Sequence, residues 1–203
     1  MNEFLEGIKE GFIATSLLEW IAVLTGVIYV ILAAKKSIWC WSFAIISAGL
    51  YVYLCYDLNL YLESFLQLFY VLMAIAGWYF WNQTKDREGL IVVWRRDFHF
   101  LNVAISTVVC LVLGYYFDEN TTQAYPYLDS FTTVFSLAAT YMVTQRVLEN
   151  WIYWIVIDIA AIFLYAAKGL YLTAVLFFVF TIIAAVGFVQ WQKKYKLQKK
   201  RRR

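Results

Sequence analysis

The sequence predicts an all-α membrane protein with seven transmembrane helices. The chain of 203 residues is 63% hydrophobic and only 15% charged. Apolar runs of about 17–25 residues, long enough to cross a bilayer as helices, recur along it. Its single proline, Pro126, is predicted to lie in a loop. The apolar runs are therefore expected to be unbroken helices that satisfy their backbone groups internally.

Seven runs are predicted to span the membrane, in chain order, and polar or charged residues separate them. The fifth run is short, and we expect its start to reach back toward Leu128. No cleavable signal peptide is expected, because the first ten residues are more acidic than basic. The predicted spans are Leu17–Ala34, Ile38–Tyr56, Tyr61–Trp81, Phe100–Phe117, Phe131–Gln145, Trp151–Ala167 and Leu170–Trp191.

Basic residues are distributed unevenly between the two sides of this predicted bundle. Fifteen of the 17 Lys and Arg residues fall on one side, eight of them between Lys193 and Arg203. Basic loops favour the cytoplasmic side, so we expect a cytoplasmic C-terminus and an external N-terminus. The basic tail is expected to contact anionic headgroups of the lipid bilayer, and no nucleic-acid partner is expected.

The chain matches itself without a gap when Trp41 is aligned with Trp151; this shift is called the repeat offset. Spans 1–3 then correspond to spans 5–7, so the two three-helix units have the same orientation and form a parallel repeat. Transporters built from such repeats bind substrate at the repeat interface. The other matched residues are 60–62 with 170–172, Ala74 with Ala184, Gly77 with Gly187, and Trp81 with Trp191.

The predicted domain boundaries follow from this repeat. Residues 1–81 form the N-terminal three-helix unit, and 82–117 a cytoplasmic linker with the fourth helix. Residues 118–192 form the second three-helix unit, and 193–203 the basic tail. The external segment Asp118–Asp129 is acidic and has no basic residue, which is typical of a solvated loop and would also attract cations.

A carboxylate inside the sixth span is the leading candidate for a functional group. Trp151, Trp154 and Asp158 occupy positions i, i+3 and i+7, which share one face of a helix. A charge in hydrocarbon costs roughly 2.5–3.5 kcal/mol on insertion scales, so Asp158 is expected to meet substrate, water or a partner. Two indole faces beside a carboxylate suit a flat organic cation. The alternative is a structural role at an interface and in helix packing.

Further substrate-binding candidates lie in the third span and at the start of the sixth. Glu63 and Gln67 are four residues apart, with Tyr70 one turn beyond; they either line the substrate path or join helices. Asn150 either caps the sixth span or reaches the site. These assignments remain open from sequence alone.

Other polar residues are expected to be structural. Ser136 and Thr140, also four residues apart, favour close helix packing over a site role. Glu19 is interpreted as interfacial. The lone histidine, His99, ends the basic linker Asn82–His99, and one histidine makes neither a metal site nor a catalytic triad.

Two long stretches carry a family resemblance. Glu149–Ala174 and Trp39–Trp81 resemble the PnuC family of membrane vitamin transporters, and the resemblance covers nearly the whole chain. Its most specific part is a W-x-x-W-x-x-x-N/D motif, here Trp151, Trp154 and Asp158. The resemblance implies a 3+1+3 helix order similar to SWEET-type sugar transporters, a homotrimer, and the bacterial inner (plasma) membrane.

The resemblance also implies a substrate class. Members of the family are facilitators for nicotinamide riboside, with relatives for thiamine and riboflavin. Nicotinamide riboside members carry Asn at the last motif position, whereas Asp158 is typical of the thiamine-type branch. We therefore expect import of nicotinamide riboside, or alternatively of thiamine, by alternating access. Phosphorylation by a cytoplasmic kinase would trap the substrate, and proton coupling through Asp158 is a variant.

Other function classes have less support. No G-x-x-x-x-G-K-[ST] phosphate loop occurs, and no nucleophile–base pair indicates an enzyme. Cys40, Cys55 and Cys110 fall within spans without metal-ligand spacing, so no metal or cofactor is expected. A seven-helix sensor would share the helix count and orientation, but the duplicated unit and the short loops argue against it.

Overall fold

In the described part of the chain, the regular secondary structure is helical apart from one isolated bridge. The computed structural model describes the backbone of residues 2–57, 61–83 and 90–201 and the side chains of 4–57, 64–83 and 90–201. The all-α prediction is confirmed. The helices in these ranges are α1 (Asn2–Ala14), α2 (Leu17–Ala34), α3 (Cys40–Asp57), α4 (Tyr61–Gln83), α5 (Arg96–Asn120), α6 (Pro126–Thr144), α7 (Asn150–Ala167) and α8 (Tyr171–Arg201).

Six of these helices are long and apolar enough to cross a membrane. They are α2, α3, the Ser64–Gln83 part of α4, α5, α7 and α8. Helix α6, which contains the predicted fifth span, is outside this set among the described residues. Its sequence includes four threonines and two serines, which lower its hydropathy.

Local sequence signals explain where several helices begin and end. Ser16 and Glu19 form a capping box at the start of α2, and each side chain accepts from the other residue's backbone N–H. Gly169, with φ 74°, follows α7 in the left-handed conformation that favours glycine. Pro126 is the first residue of α6, so its placement in a loop was wrong. Proline fits there because the first helical N–H lacks an intrahelical partner.

Helix α1 was not predicted from the sequence, because it contains no long apolar run. This helix is amphipathic and packs against the start of α8, where the Phe4 and Tyr171 rings lie 5.4 Å apart. Helix α8 also continues as far as Arg201, through most of the predicted basic tail.

Six helices pack into a ring in the order α2, α3, α4, α6, α7 and α8, with α8 returning to α2. Helix α5 packs on α6, and α1 packs on α8, outside this ring. We call the end of the ring with Ala34, Thr144 and the end of α8 the basic end. The opposite end, with Glu19 and Asp129, is called the acidic end.

Two tryptophans join the ring at the basic end. Trp81 Nε1 on α4 donates to the carbonyls of Val143 and Thr144 on α6, at 3.3 and 3.1 Å. Trp191 Nε1 on α8 donates to the carbonyls of Ala33 and Ala34 on α2, both at 3.1 Å. The repeat offset aligns Trp81 with Trp191. It also aligns the two acceptor residues of Trp81 with the two acceptor residues of Trp191, so the two pairs of bonds are equivalent.

A second pair of tryptophans packs beside the first. Trp41 meets Trp81 edge-on, with ring centroids 5.3 Å apart, and Trp151 meets Trp191 edge-on at 5.5 Å. All four rings are buried. Arg146, in the turn after α6, covers the Trp81 ring at 4.9 Å and donates to the Trp81 carbonyl at 2.8 Å.

The segment before α5 is fixed to this end of the ring. The Val92 N–H donates to the Arg146 carbonyl at 3.1 Å, and the Leu148 N–H donates to the Val92 carbonyl at 2.8 Å. This isolated parallel bridge ties the linker to the turn between α6 and α7.

The packing of Trp41 predicts a large effect for one methyl group. A Cβ at Gly77 would lie 2.4–2.6 Å from the Trp41 ring, so we expect Gly77→Ala to lower the free energy of unfolding by about 1–3 kcal/mol through overpacking. Thermal unfolding of detergent-solubilised protein measures this loss. Gly49→Ala is the control, because nothing lies within 4 Å of a Cβ there. Equal melting temperatures for both variants would contradict the packing.

Candidate functional site

A cavity of about 540 Å³ lies inside the ring of helices. Its volume is within the range of roughly 300–1,000 Å³ typical of small-molecule sites. All six ring helices contribute to its walls, from Glu19 and Asp129 at the acidic end to Trp41 and Trp151 near the basic end. Both of these tryptophans are buried.

The predicted stripe on α7 faces this cavity. Trp151, Trp154 and Asp158 all line it. Trp151 is 2% exposed and packs against Gly187, where a Cβ would lie 2.9 Å from the ring. Trp151 is therefore part of the cavity floor and its packing, whereas Trp154 is half-buried and presents an aromatic surface farther along the wall.

Asp158 is a buried carboxylate in this wall. Its exposure is 3%, and within the described part of the chain it has neither a hydrogen bond nor an ion pair. A buried charge without a partner is unfavourable, because the protein does not replace the water that it loses. The cavity beside it is where a cation or water can supply that interaction.

The predicted residues on α4 fall into two groups. Gln67 and Tyr70 line the cavity. The Glu63 side chain lies outside the described residues. The structure therefore brings Gln67 and Tyr70 to the same cavity as the α7 stripe.

Asn150 is not brought to the cavity. It is the first residue of α7, fully buried, and its Nδ2 donates to the Val147 carbonyl at 2.6 Å. Its side chain is bonded to the turn before α7, but it does not cap the helix, because Glu149 is the N-cap residue and no side chain caps this end.

Two carboxylates mark the acidic end of the cavity. Glu19 on α2 and Asp129 on α6 both line it, and the repeat offset relates their positions. Asp129 accepts from Lys168 Nζ at 2.8 Å and also from the Gln123 side chain. Glu19 thus lies at the cavity mouth in addition to capping α2, whereas the sequence indicated only an interface.

Several cavity residues were not singled out from the sequence. Tyr29, Ser47, Tyr51 and Tyr165 line the cavity. The repeat held a signal for one of them: position 48 corresponds to Asp158, so its neighbour Ser47 could have been placed near the site. The tyrosines gave no such signal, because aromatic residues are common throughout the spans.

His99 lies away from the cavity, in the first turn of α5. Its Nδ1 is 3.1 Å from the Tyr153 hydroxyl, and its Nε2 is 3.8 Å from a Glu149 oxygen. It joins α5 to the start of α7. The described residues contain no cluster of three or more potential metal ligands.

Comparison with known proteins identifies the family to which the chain belongs. The family model described as "Nicotinamide mononucleotide transporter" matches residues 16–193. The nicotinamide riboside transporter PnuC of Escherichia coli is 27% identical over 203 residues, covering 87% of this chain and 85% of that protein. The chain belongs to this transporter family.

Other relatives show how far the similarity extends. The Neisseria mucosa nicotinamide riboside transporter PnuC is 29% identical over 189 residues, covering 87% of this chain and 72% of that protein. The riboflavin/roseoflavin transporter RibM of Streptomyces davaonensis is 23% identical over 173 residues, covering 82% and 80%.

The fold has a solved counterpart. A crystal structure of the vitamin B3 transporter PnuC superposes with a TM-score of 0.71 at 26% identity, covering 95% of this chain and 90% of that one. The protein is therefore a membrane transporter and not an enzyme, and the resemblance inferred from the sequence is confirmed.

Because Asp158 has no partner among the described residues, we expect its replacement to stabilise the ligand-free protein. Asp158→Asn should raise the free energy of unfolding of the ligand-free protein by about 1–3 kcal/mol, because it removes an uncompensated buried charge. Thermal unfolding without ligand tests this expectation. Asp129→Asn is the matched control: it removes a carboxylate paired with Lys168, so no gain is expected. A loss of stability in Asp158→Asn would show that Asp158 has a structural partner.

Proposed function

We propose that this protein imports nicotinamide riboside. The observation that carries the proposal is the unpaired Asp158 beside Trp154 in the wall of a cavity of small-molecule size. Nicotinamide riboside has a flat pyridinium ring with a fixed positive charge. The ring would stack on Trp154, and its charge would be balanced by Asp158. The names of the Escherichia coli and Neisseria mucosa relatives support the same substrate.

Thiamine is the second candidate. Its thiazolium ring also carries a fixed positive charge. Asp158 occupies the last motif position, where the family resemblance implies Asn in members that transport nicotinamide riboside. A carboxylate balances either cation. Riboflavin is uncharged, so an unpaired buried carboxylate does not favour it, although one relative is named for it.

The transport cycle that we propose is alternating access between the two repeats. The equivalent indole bonds of Trp81 and Trp191 support a parallel 3+1+3 arrangement of seven spans, with repeats at residues 1–81 and 118–192. In this cycle the buried tryptophans would close the basic end, and the cavity would open between Glu19 and Asp129 at the opposite end. Release would require the basic end to open, and cytoplasmic phosphorylation would then trap the substrate.

We place the basic end in the cytoplasm, in the bacterial inner membrane, with the N-terminus outside. The distribution of Lys and Arg supports this orientation. We further propose a homotrimer, as the family resemblance implies, and the mass of the purified protein in detergent measures it.

Ligand binding tests the substrate. Isothermal titration of purified protein should show saturable binding of nicotinamide riboside, and Trp154→Ala should weaken it about tenfold, since a desolvated cation–π contact contributes roughly 1–2 kcal/mol. Trp39→Ala is the control, because Trp39 is exposed and does not line the cavity. Thiamine and riboflavin are titrated in parallel. A folded wild-type protein that binds none of the three would refute the proposed function.

Topology reporters test the orientation. A reporter fused after Arg203 should be active only in the cytoplasm, and one fused near Glu3 only outside, because basic segments are retained inside. The two fusions serve as controls for one another. Cytoplasmic signals from both termini would mean an even number of spans and would refute the 3+1+3 arrangement.

A further inference from the structure

One wall of the cavity is rich in hydroxyl groups. The residues of α6 that line the cavity recur every three or four positions, so they form a single stripe along the helix. Four consecutive members of this stripe carry hydroxyls. In chain order the stripe is Asp129, Thr132, Thr133, Ser136, Thr140 and Val143.

The corresponding stripe of α2 lines the same cavity without a hydroxyl. The repeat offset relates each position of the α6 stripe to a residue of α2 that also faces the cavity. At the four positions that carry hydroxyls on α6, α2 has alanine, valine, glycine and valine. This stripe is Glu19, Ala22, Val23, Gly26, Val30 and Ala33. At these four positions α2 occupies the equivalent place in the ring with apolar residues, so the repeated fold does not itself require hydroxyls there.

Two of the four hydroxyls already donate their protons to backbone carbonyls. Thr140 Oγ1 donates its proton to the Ser136 carbonyl at 2.7 Å, and Thr132 Oγ1 donates to the Asp129 carbonyl at 2.9 Å. Each hydroxyl oxygen keeps lone pairs after donating. A ligand that satisfies this wall therefore needs several O–H donors, which is the chemistry of a sugar.

This wall adjoins the proposed ring site. Helices α6 and α7 are neighbours in the ring, and Trp154 packs with Phe135 and Ala139. Those two residues immediately precede Ser136 and Thr140 in the sequence. A ligand stacked on Trp154 thus has its remaining atoms within the same cavity as the hydroxyl stripe.

We propose that the hydroxyl stripe of α6, centred on Ser136 and Thr140, binds the ribosyl hydroxyls of an N-ribosylated pyridinium and selects it over organic cations that lack a sugar. The inference rests on the proposed function and adds a second subsite to it. Trp154 and Asp158 recognise the charged ring, and α6 recognises the polyol. Thiamine, with a single hydroxyl, would use the stripe less fully.

Two ligands separate the subsites. Nicotinamide riboside and 1-methylnicotinamide share the charged ring, but only the first has a ribose. Isothermal titration of Thr140→Val and of Ser136→Ala should show a threefold to tenfold loss for nicotinamide riboside, about one neutral hydrogen bond each. Binding of 1-methylnicotinamide should stay unchanged, which also shows that each variant is folded.

Thr144→Val is the matched control. Thr144 is on the same helix and donates to the Tyr141 carbonyl at 2.7 Å, as Thr140 does to Ser136, but it does not line the cavity. Its replacement should leave both affinities unchanged. An equal loss in this variant would assign the effect to the helix and overturn the proposal.

The remaining outcomes are also decisive. Equal losses for both ligands in Thr140→Val and Ser136→Ala, or no loss for nicotinamide riboside, would overturn the polyol subsite while leaving the ring site intact. Equal wild-type affinities for the two ligands would do the same. A wild-type protein that binds neither would overturn the proposed function, and the inference with it.

Discussion

The closed ring depends on indole N–H groups that satisfy the ends of two helices. The last carbonyls of a helix have no intrahelical partner, and in a membrane they cannot all be satisfied by water. Trp81 supplies one N–H that is shared by two carbonyls at the end of α6, and Trp191 does the same at the end of α2. Each bond also ties a helix of one half to a helix of the other. The same indole hydrogen bonds thus satisfy the helix ends and hold the ring together around the cavity.

Close packing around these bonds fixes the floor of the cavity. Trp41 and Trp151 lie against Gly77 and Gly187, where a Cβ would come closer than 3 Å to the rings. Only glycine lets each indole approach the neighbouring helix backbone so closely. Each half of the chain thus supplies one copy of the same unit, which consists of two tryptophans and one glycine.

The residues proposed to bind substrate lie where the two halves differ. The equivalent of Asp158 is Ala48, and the hydroxyls of α6 correspond to alanine, valine and glycine on α2. A symmetric scaffold builds the cavity, and asymmetric side chains give it one charged, aromatic wall and one hydroxyl-lined wall. Such a division suits an asymmetric ligand with a flat cationic part and a polyol part.

The transporter family was predicted from the resemblance of two long stretches to a known family. The sequence by itself determined the helical class, the apolar helices, the repeat offset and the α7 stripe. These are properties of local periodicity and of spacing along one chain, which the bilayer makes easy to detect because each helix must satisfy its own backbone. It missed α1, because an amphipathic helix does not form an apolar run. It also misplaced Pro126, because a proline at the first helical position resembles one in a turn.

Only the tertiary structure decided which polar residues share the cavity. Asn150 and Asp158 lie on the same helix, yet Asn150 holds the turn before α7, whereas Asp158 faces the cavity without a partner among the described residues. Ser136 and Thr140 were interpreted as packing residues, and the structure places both of them on the cavity wall. Helical periodicity fixes which residues share a face, but which neighbour that face meets depends on ring closure by contacts such as Trp191 with Ala33, 158 residues apart.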